Sequence, residues 1–177
     1  MIKNNSIKAS NTPTYKVAVL CYGNPSRGDD ALAPMAYEYL IELTKERTDL
    51  LLVNDYQLQI EHIVDLQQAE LVLFVDAHLS CVSPFEFTAL QISKQLSHTS
   101  HALSPEDLLG FYQQSLRKMP PPAYILAIKG KSFELGESLT KRAQKNLHQA
   151  QSFIAQLLAD SRLSSWNSLI AKTLNDN

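Results

Sequence analysis

Leu71-Val72-Leu73-Phe74-Val75 is an unbroken apolar run closed by an acid, Asp76. A strand that alternates polar and apolar residues can leave one face in water, but an uninterrupted apolar strand needs cover on both. Helices on each side of a mostly parallel sheet meet that demand. Val17-Ala18-Val19-Leu20, inside a strand predicted over Lys16–Tyr22, has the same character, as does a strand predicted over Ala123–Ile128. The segments between them are amphipathic at helical spacing. The expected architecture is therefore an α/β three-layer sandwich, with a mostly parallel twisted sheet and helices on both faces.

Ala31–Arg47 reads as a helix on Leu32, Met35, Ala36, Tyr39, Leu40 and Leu43, with Pro34 tolerated in its first turn. Leu50–Asn54 reads as a strand, and Ile60–Gln68 as a short helix anchored by Ile60, Ile63, Val64 and Leu66. Phe85–Ile92 alternates, which suits a strand nearer an edge. Ser104–Lys118 is a predicted helix with Ser104 as N-cap, Pro105 in the first position and Asp107 three residues after the cap. Met119-Pro120-Pro121-Pro122 stops it, and Ser138–Ala159 reads as a long helix. Met1–Thr14, rich in Asn and Ser, is expected to be a disordered arm, residues 15–160 a single domain, and 161–177 a tail with a short helix near Trp166–Leu174.

The formal charge is −2, and lysines and arginines are scattered apart from Lys129/Lys131 and Lys141/Arg142. No strong basic field exists, so nucleic acid is not an expected partner. No apolar run approaches the ~20 residues that span a bilayer, and the polar N-terminus lacks the apolar centre of a signal peptide. Cys21 and Cys81 read as free thiols rather than a disulfide framework. The expected location is cytoplasmic, away from membranes.

In open α/β sheets ligands bind beyond the carboxyl ends of the strands. There the chain carries Cys21-Tyr22-Gly23-Asn24-Pro25-Ser26-Arg27-Gly28-Asp29-Asp30. Asp30 after the first strand, Asp76 after the apolar run and His101 on a loop before a helix form a candidate set. Two carboxylates and an imidazole suit a divalent transition metal and leave coordination positions open for water or a carbonyl. Each has a plainer reading. Asp29 or Asp30 could cap the helix, Asp76 could hold a turn, and His101 could be a solvated loop residue. His78 and His98 are possible substitutes for His101, whereas His62 and His148 read as surface residues of helices. Arg27 could orient a substrate carbonyl or carboxylate; pairing with Asp29 is the simpler reading. Ser26 and Cys21 read as structural rather than nucleophilic. Phosphate binding at the turn is disfavoured, because Asp29-Asp30 stand where a Walker loop carries Lys-Ser/Thr.

Gly23-Asn24-Pro25-Ser26-Arg27-Gly28-Asp29-Asp30, then Phe74-Val75-Asp76-Ala77, then Thr99-Ser100-His101-Ala102-Leu103-Ser104-Pro105 stand in the order seen in one family. The chain resembles the [NiFe]-hydrogenase maturation endopeptidases from about Lys16 to about Leu157. The resemblance implies a phosphorylase/hydrolase-like fold, and Asp30, Asp76 and His101 as metal-binding and catalytic residues. It implies cleavage of a C-terminal extension from a hydrogenase large-subunit precursor, with the nickel supplied by that precursor and Asp29 holding the turn or supporting the ligands. Asp55–His62 and Lys129–Gly136 look like the branch serving soluble, NAD-linked hydrogenases. Two departures stand out. Ala31-Leu32-Ala33 replaces a frequent Gly-x-Gly, and Asn54-Asp55-Tyr56-Gln57 replaces a frequent Asp-Gly-Gly-Thr, a change that bears on substrate choice. Two alternatives compete: a peptidyl-tRNA hydrolase-like enzyme, whose start also has a Gly-Asn-Pro turn, and a non-catalytic nickel-sensing assembly chaperone.

Overall fold

The computed structural model describes residues 13–93 and 103–175, with side chains to residue 170. Five strands, β1 (Tyr15–Tyr22), β2 (Leu50–Asp55), β3 (Ala69–His78), β4 (Phe85–Ala89) and β5 (Ala123–Lys129), form one sheet in the order β2-β1-β3-β5-β4. All pairings are parallel except β4 with β5, so the alternating segment is an antiparallel edge strand. The helices are α1 (Leu32–Thr44), α2 (Ile63–Gln67), α3 (Pro105–Leu116), α4 (Lys141–Ala159) and α5 (Leu163–Asn175).

The sheet divides two cores by side-chain parity. Val17, Val19, Leu71, Leu73, Val75, Leu126 and Ile128 meet α1, α4 and α5 on one face. Ala18, Leu20, Val72, Phe74 and Ala123 meet α2 and α3 on the other. The apolar run is thus the covered central strand its composition demands.

Several elements differ from their predicted form. The strand expected over Leu71–Val75 continues through Asp76 to His78, because β5 pairs Asp76 with Ala127 and His78 with Lys129. In α1 the buried stripe is Leu32, Ala33, Ala36 and Leu40, while Met35 and Leu43 are 43% and 46% exposed. Only Ile63 and Leu66 anchor α2; Ile60 and Val64 face outward. Helix α4 begins at Lys141 rather than Ser138, capped by the Thr140 hydroxyl, which accepts from the Ala143 amide at 3.2 Å. The predicted cap of α3 is present: Ser104 Oγ accepts from the Asp107 amide at 3.1 Å.

At the two ends, Thr14 is already tied to the Gln68 carbonyl, its amide donating at 2.9 Å, whereas residues 1–12 of the expected arm lie outside the described residues. Helix α5 starts three residues earlier than predicted and packs on the sheet. Trp166 is fully buried against Tyr124 and Phe87, with ring centroids 5.0 and 6.1 Å apart, and its indole N–H donates to the Leu157 carbonyl at 3.0 Å. Among the described residues no helix is long and apolar enough to cross a membrane.

Candidate functional site

The two consecutive acids of the first turn point in opposite directions. Asp29 is fully buried. Its carboxylate accepts from the amides of Lys131 (2.7 Å), Ser132 (3.2 Å) and Thr140 (2.7 Å), and from the Thr140 hydroxyl (2.9 Å). Burial alone would push its carboxyl up; these four donors outweigh burial and hold it below the usual carboxylate range. Asp29 therefore clamps the segment after β5 onto the turn. It caps no helix and does not pair with Arg27, whose Nε donates to the Phe133 carbonyl at 3.2 Å.

Asp30 faces outward. It accepts from the Asn24 amide at 2.9 Å, and the Asn24 side chain in turn accepts from the Ser26 amide at 2.9 Å. No side-chain cap bond forms at the start of α1, so the capping reading fails for both acids. Asp76 stands on β3, one strand away. Both carboxylates line one open cavity of about 510 Å³. Its walls are Tyr22, Gly23, Asn24 and Arg27 from the first turn, Tyr56 and Gln57 beyond β2, Ala77, and Phe133 from the Asp29-held segment. Tyr56 and Gln57 belong to the departure noted in the sequence, so that substitution changes the lining of this cavity.

Asp76 is the perturbed member. Burial, with the charge of Asp30 as a lesser contribution, pushes its carboxyl up to about 7; the Ala77 amide and the nearby Tyr22 hydroxyl oppose this without cancelling it. The Tyr22 hydroxyl is itself buried, with no partner of full hydrogen-bond geometry. Burial first, and then the Asp76 charge, raises it well above the ordinary tyrosine range. Among the described residues no ion pair neutralises Asp30 or Asp76. Two carboxylates in one cavity, with no cation paired to either among the described residues, resist being charged together.

This has a measurable consequence for the free protein. A carboxyl whose folded pKa lies above its unfolded value, near ~3.9, adds stability that is complete below the unfolded pKa and lost as pH rises through the folded one, here from about 4 through about 7. Asp76→Asn is expected to flatten that loss, matching the parent in urea midpoint at pH near ~4 and exceeding it near ~8. The Asp76 carboxyl resonance should titrate near 7 and move down in Asp30→Asn. An Asp76 midpoint near the ordinary ~3.9 would contradict this account.

The turn tolerates no side chain at its first glycine. Gly23 has φ of +156°, and a Cβ there would lie 2.3 Å from the Asp30 carbonyl oxygen. Gly23→Ala is expected to cost about 2 kcal/mol and to displace Asp30, read as a lowered unfolding midpoint with shifted Asp30 and Asn24 amides.

His101 and His98 lie outside the described residues. Among the described residues no group of three His, Cys, Asp or Glu side chains is placed to hold a metal ion. The described ends of that segment are informative. The Ser93 amide donates to the Glu106 carbonyl at 3.2 Å, and the Glu106 charge is felt at the Tyr22 hydroxyl beside Asp76. His78 is exposed, and its Nδ1 accepts from the Ser80 amide at 3.1 Å. His62 is buried, not a surface residue: its Nδ1 accepts from the Gln59 amide at 2.9 Å and its Nε2 faces Asp55 at 3.6 Å. Its helical neighbourhood concealed this, because the Asp55 that its outer nitrogen faces ends a different element. Cys21 is fully buried, with its thiol driven up beyond use as a nucleophile, and Ser26 sits exposed in the turn.

No protein-family model matches the sequence, and no curated protein matches it. Solved structures do share its fold. The [NiFe] hydrogenase maturation protease HycI from Thermococcus kodakarensis KOD1 superposes with a TM-score of 0.64 at 22% identity, covering 82% of this chain and 93% of that one. The hydrogenase maturating endopeptidase HybD from E. coli gives 0.62 at 16% identity, over 81% and 93%. The hydrogenase 2 maturation peptidase from a Thaumarchaeota archaeon gives 0.59 at 21%, over 81% and 98%. At these identities the likeness establishes the shared α/β fold.

Proposed function

We propose that this chain is a processing endopeptidase that removes the C-terminal extension of a [NiFe]-hydrogenase large-subunit precursor. In this reading it recognises nickel already held by the precursor through Asp30, Asp76 and His101. One observation carries the reading: on a fold shared with maturation proteases, two carboxylates line one open cavity, and among the described residues neither has an ion-pair partner, the Arg27 of the same wall turning its Nε to the Phe133 carbonyl instead. A divalent ion borne by the substrate supplies the missing charge and lets both carboxylates ionise together. His101 enters on the resemblance, and the Glu106 charge felt at the Tyr22 hydroxyl, from the helix that follows its segment, supports that reading.

The roles of this chain's own residues follow from their surroundings. Asp30 is oriented by the Asn24 amide, so its carboxylate is held in place before substrate arrives. Asp76 gives up a proton when the ion binds, so capture of the precursor strengthens as pH rises toward and past about 7. Asp29 positions the turn without touching the cavity. The Asp55–His62 and Lys129–Gly136 segments support assignment to the branch serving soluble NAD-linked hydrogenases, and both supply cavity wall, through Tyr56, Gln57 and Phe133. A cytoplasmic location, apart from membranes and nucleic acid, belongs to the same reading.

The test is direct. Purified protein incubated with nickel-loaded precursor should release a C-terminal peptide detectable by mass spectrometry, while nickel-free precursor stays whole. Stable binding of loaded precursor without peptide release would instead make the chain a nickel-sensing chaperone. Binding of tRNA at low salt, with no effect on precursor, would favour the peptidyl-tRNA hydrolase-like alternative.

A further inference from the structure

Of the two basic pairs that break the even scatter of cations, Lys129/Lys131 and Lys141/Arg142, the fold brings Lys129, Lys131 and Arg142 to one cavity. A second cavity, of about 280 Å³, lies between the end of β5 and the first turns of α4. Leu79, Gly130 and Ala143 line it together with Lys129, Lys131 and Arg142, and Asn146 completes it. No carboxylate lines it, and among the described residues neither Lys131 nor Arg142 has an acidic partner. The Lys129 ammonium donates to the Leu79 carbonyl, and the buried Asn146 amide donates to the Lys129 carbonyl at 2.8 Å, so this wall is held in place. The positive end of α4 adds to the same field.

This cavity adjoins the first one. Lys129, Gly130 and Lys131 line it, while Phe133 of the same segment lines the carboxylate cavity. Asp76 and Ala77 near the end of β3 line the carboxylate cavity, and Leu79, just past that end, lines the basic one. The Gly130 amide donates to the His78 carbonyl at 3.1 Å, which ties the two cavity-lining segments to each other. A polypeptide lying across the strand ends can therefore place residues in both.

Resting on the endopeptidase reading, we propose that the Leu79–Arg142 cavity is a second substrate subsite, taking an aliphatic side chain that sits next to a carboxylate on the same polypeptide whose metal end occupies the first. Leu79, Ala143 and Gly130 supply the apolar floor; Lys131 and Arg142 supply charge to the carboxylate.

The test uses three small probes and amide NMR on the full chain. N-acetyl-leucine should shift the Gly130, Lys131 and Ala143 amides saturably. N-acetyl-leucinamide, without the charge, and N-acetylglycine, without the aliphatic group, should each bind about tenfold more weakly. Arg142→Glu and Lys131→Glu, both at exposed positions, should abolish the preference for the acid, while Asp76→Asn leaves probe binding unchanged. Equal shifts with acid and amide, no saturable shift, or an unchanged preference in both charge reversals would overturn the proposal. In precursor processing the two reversals should raise KM and spare kcat; equal loss of kcat would also count against a binding subsite. If the parent protein cleaves no precursor, the endopeptidase reading fails, and the probe titration still decides whether the cavity selects an aliphatic carboxylate.

Discussion

Asp76→Asn and Asp30→Asn each leave the hydrogenase large subunit at its precursor length, with processing slowed at least about a hundredfold, or ~2.7 kcal/mol at the barrier. Asn keeps the shape of either side chain while removing the charge and replacing one acceptor oxygen by an NH2 donor. Asp76→Asn should fold at least as well as the parent at neutral pH, because the carboxyl it replaces is already disfavoured there by burial and by Asp30. Loss of processing in that variant cannot then be assigned to instability. Asp30→Asn keeps an oxygen for the Asn24 amide, so the turn is preserved. His101→Ala is expected to match them. Normal trimming by all three variants would remove the metal-recognition site from the account. Uncut but tightly bound precursor in the parent would keep the site and remove the chemistry.

What the sequence made legible was local or periodic. Unbroken apolar runs announced a sheet covered on both faces, and alternation at Phe85 announced an edge. Ser104 and Pro105 announced the start of α3. Asp30 and Asp76 were identifiable as acids near strand ends, and the structure places both on one cavity. The division of labour within Asp29-Asp30 was not legible. Adjacency says nothing about which acid turns inward, and the donors that bury Asp29 come from residues 131, 132 and 140. His62 was misread for the same reason, since Asp55 belongs to the end of β2 rather than to its own helix. The late start of α4 has the same origin: Thr140 is held by Asp29 as well as capping the helix. The pairing of Lys131 with Arg142 around one cavity likewise depends on how β5 delivers its loop to α4.

Asp29→Ala is expected to destabilise the protein by about 4 kcal/mol. The magnitude follows from what is left behind. Three backbone N–H groups and one hydroxyl converge on a fully buried carboxylate, and alanine offers none of them an acceptor. Gly28 makes local repair difficult: its φ is +53° and a Cβ built on it would lie 2.7 Å from the Ser132 carbonyl oxygen, so turn and loop are in close contact. Urea denaturation should show the loss as a lowered midpoint with an unchanged slope, and hydrogen exchange should show it as lost protection at Lys131, Ser132 and Thr140. Thr140→Val, a milder change, removes one donor to Asp29 and the cap of α4 and should cost about 1–2 kcal/mol. Because both variants disrupt one network, their costs should sum to more than the double variant loses. The parent's dependence on Asp29 also has a defined pH window. Its folded pKa lies below the unfolded value, so its contribution is complete above ~4 and disappears as acid protonates the folded carboxylate. Asp29→Ala should therefore be less sensitive than the parent to acid below ~4. A loss under about 1 kcal/mol, with amide protection intact, would mean that the loop is held by its other contacts and that Asp29 is not the clamp.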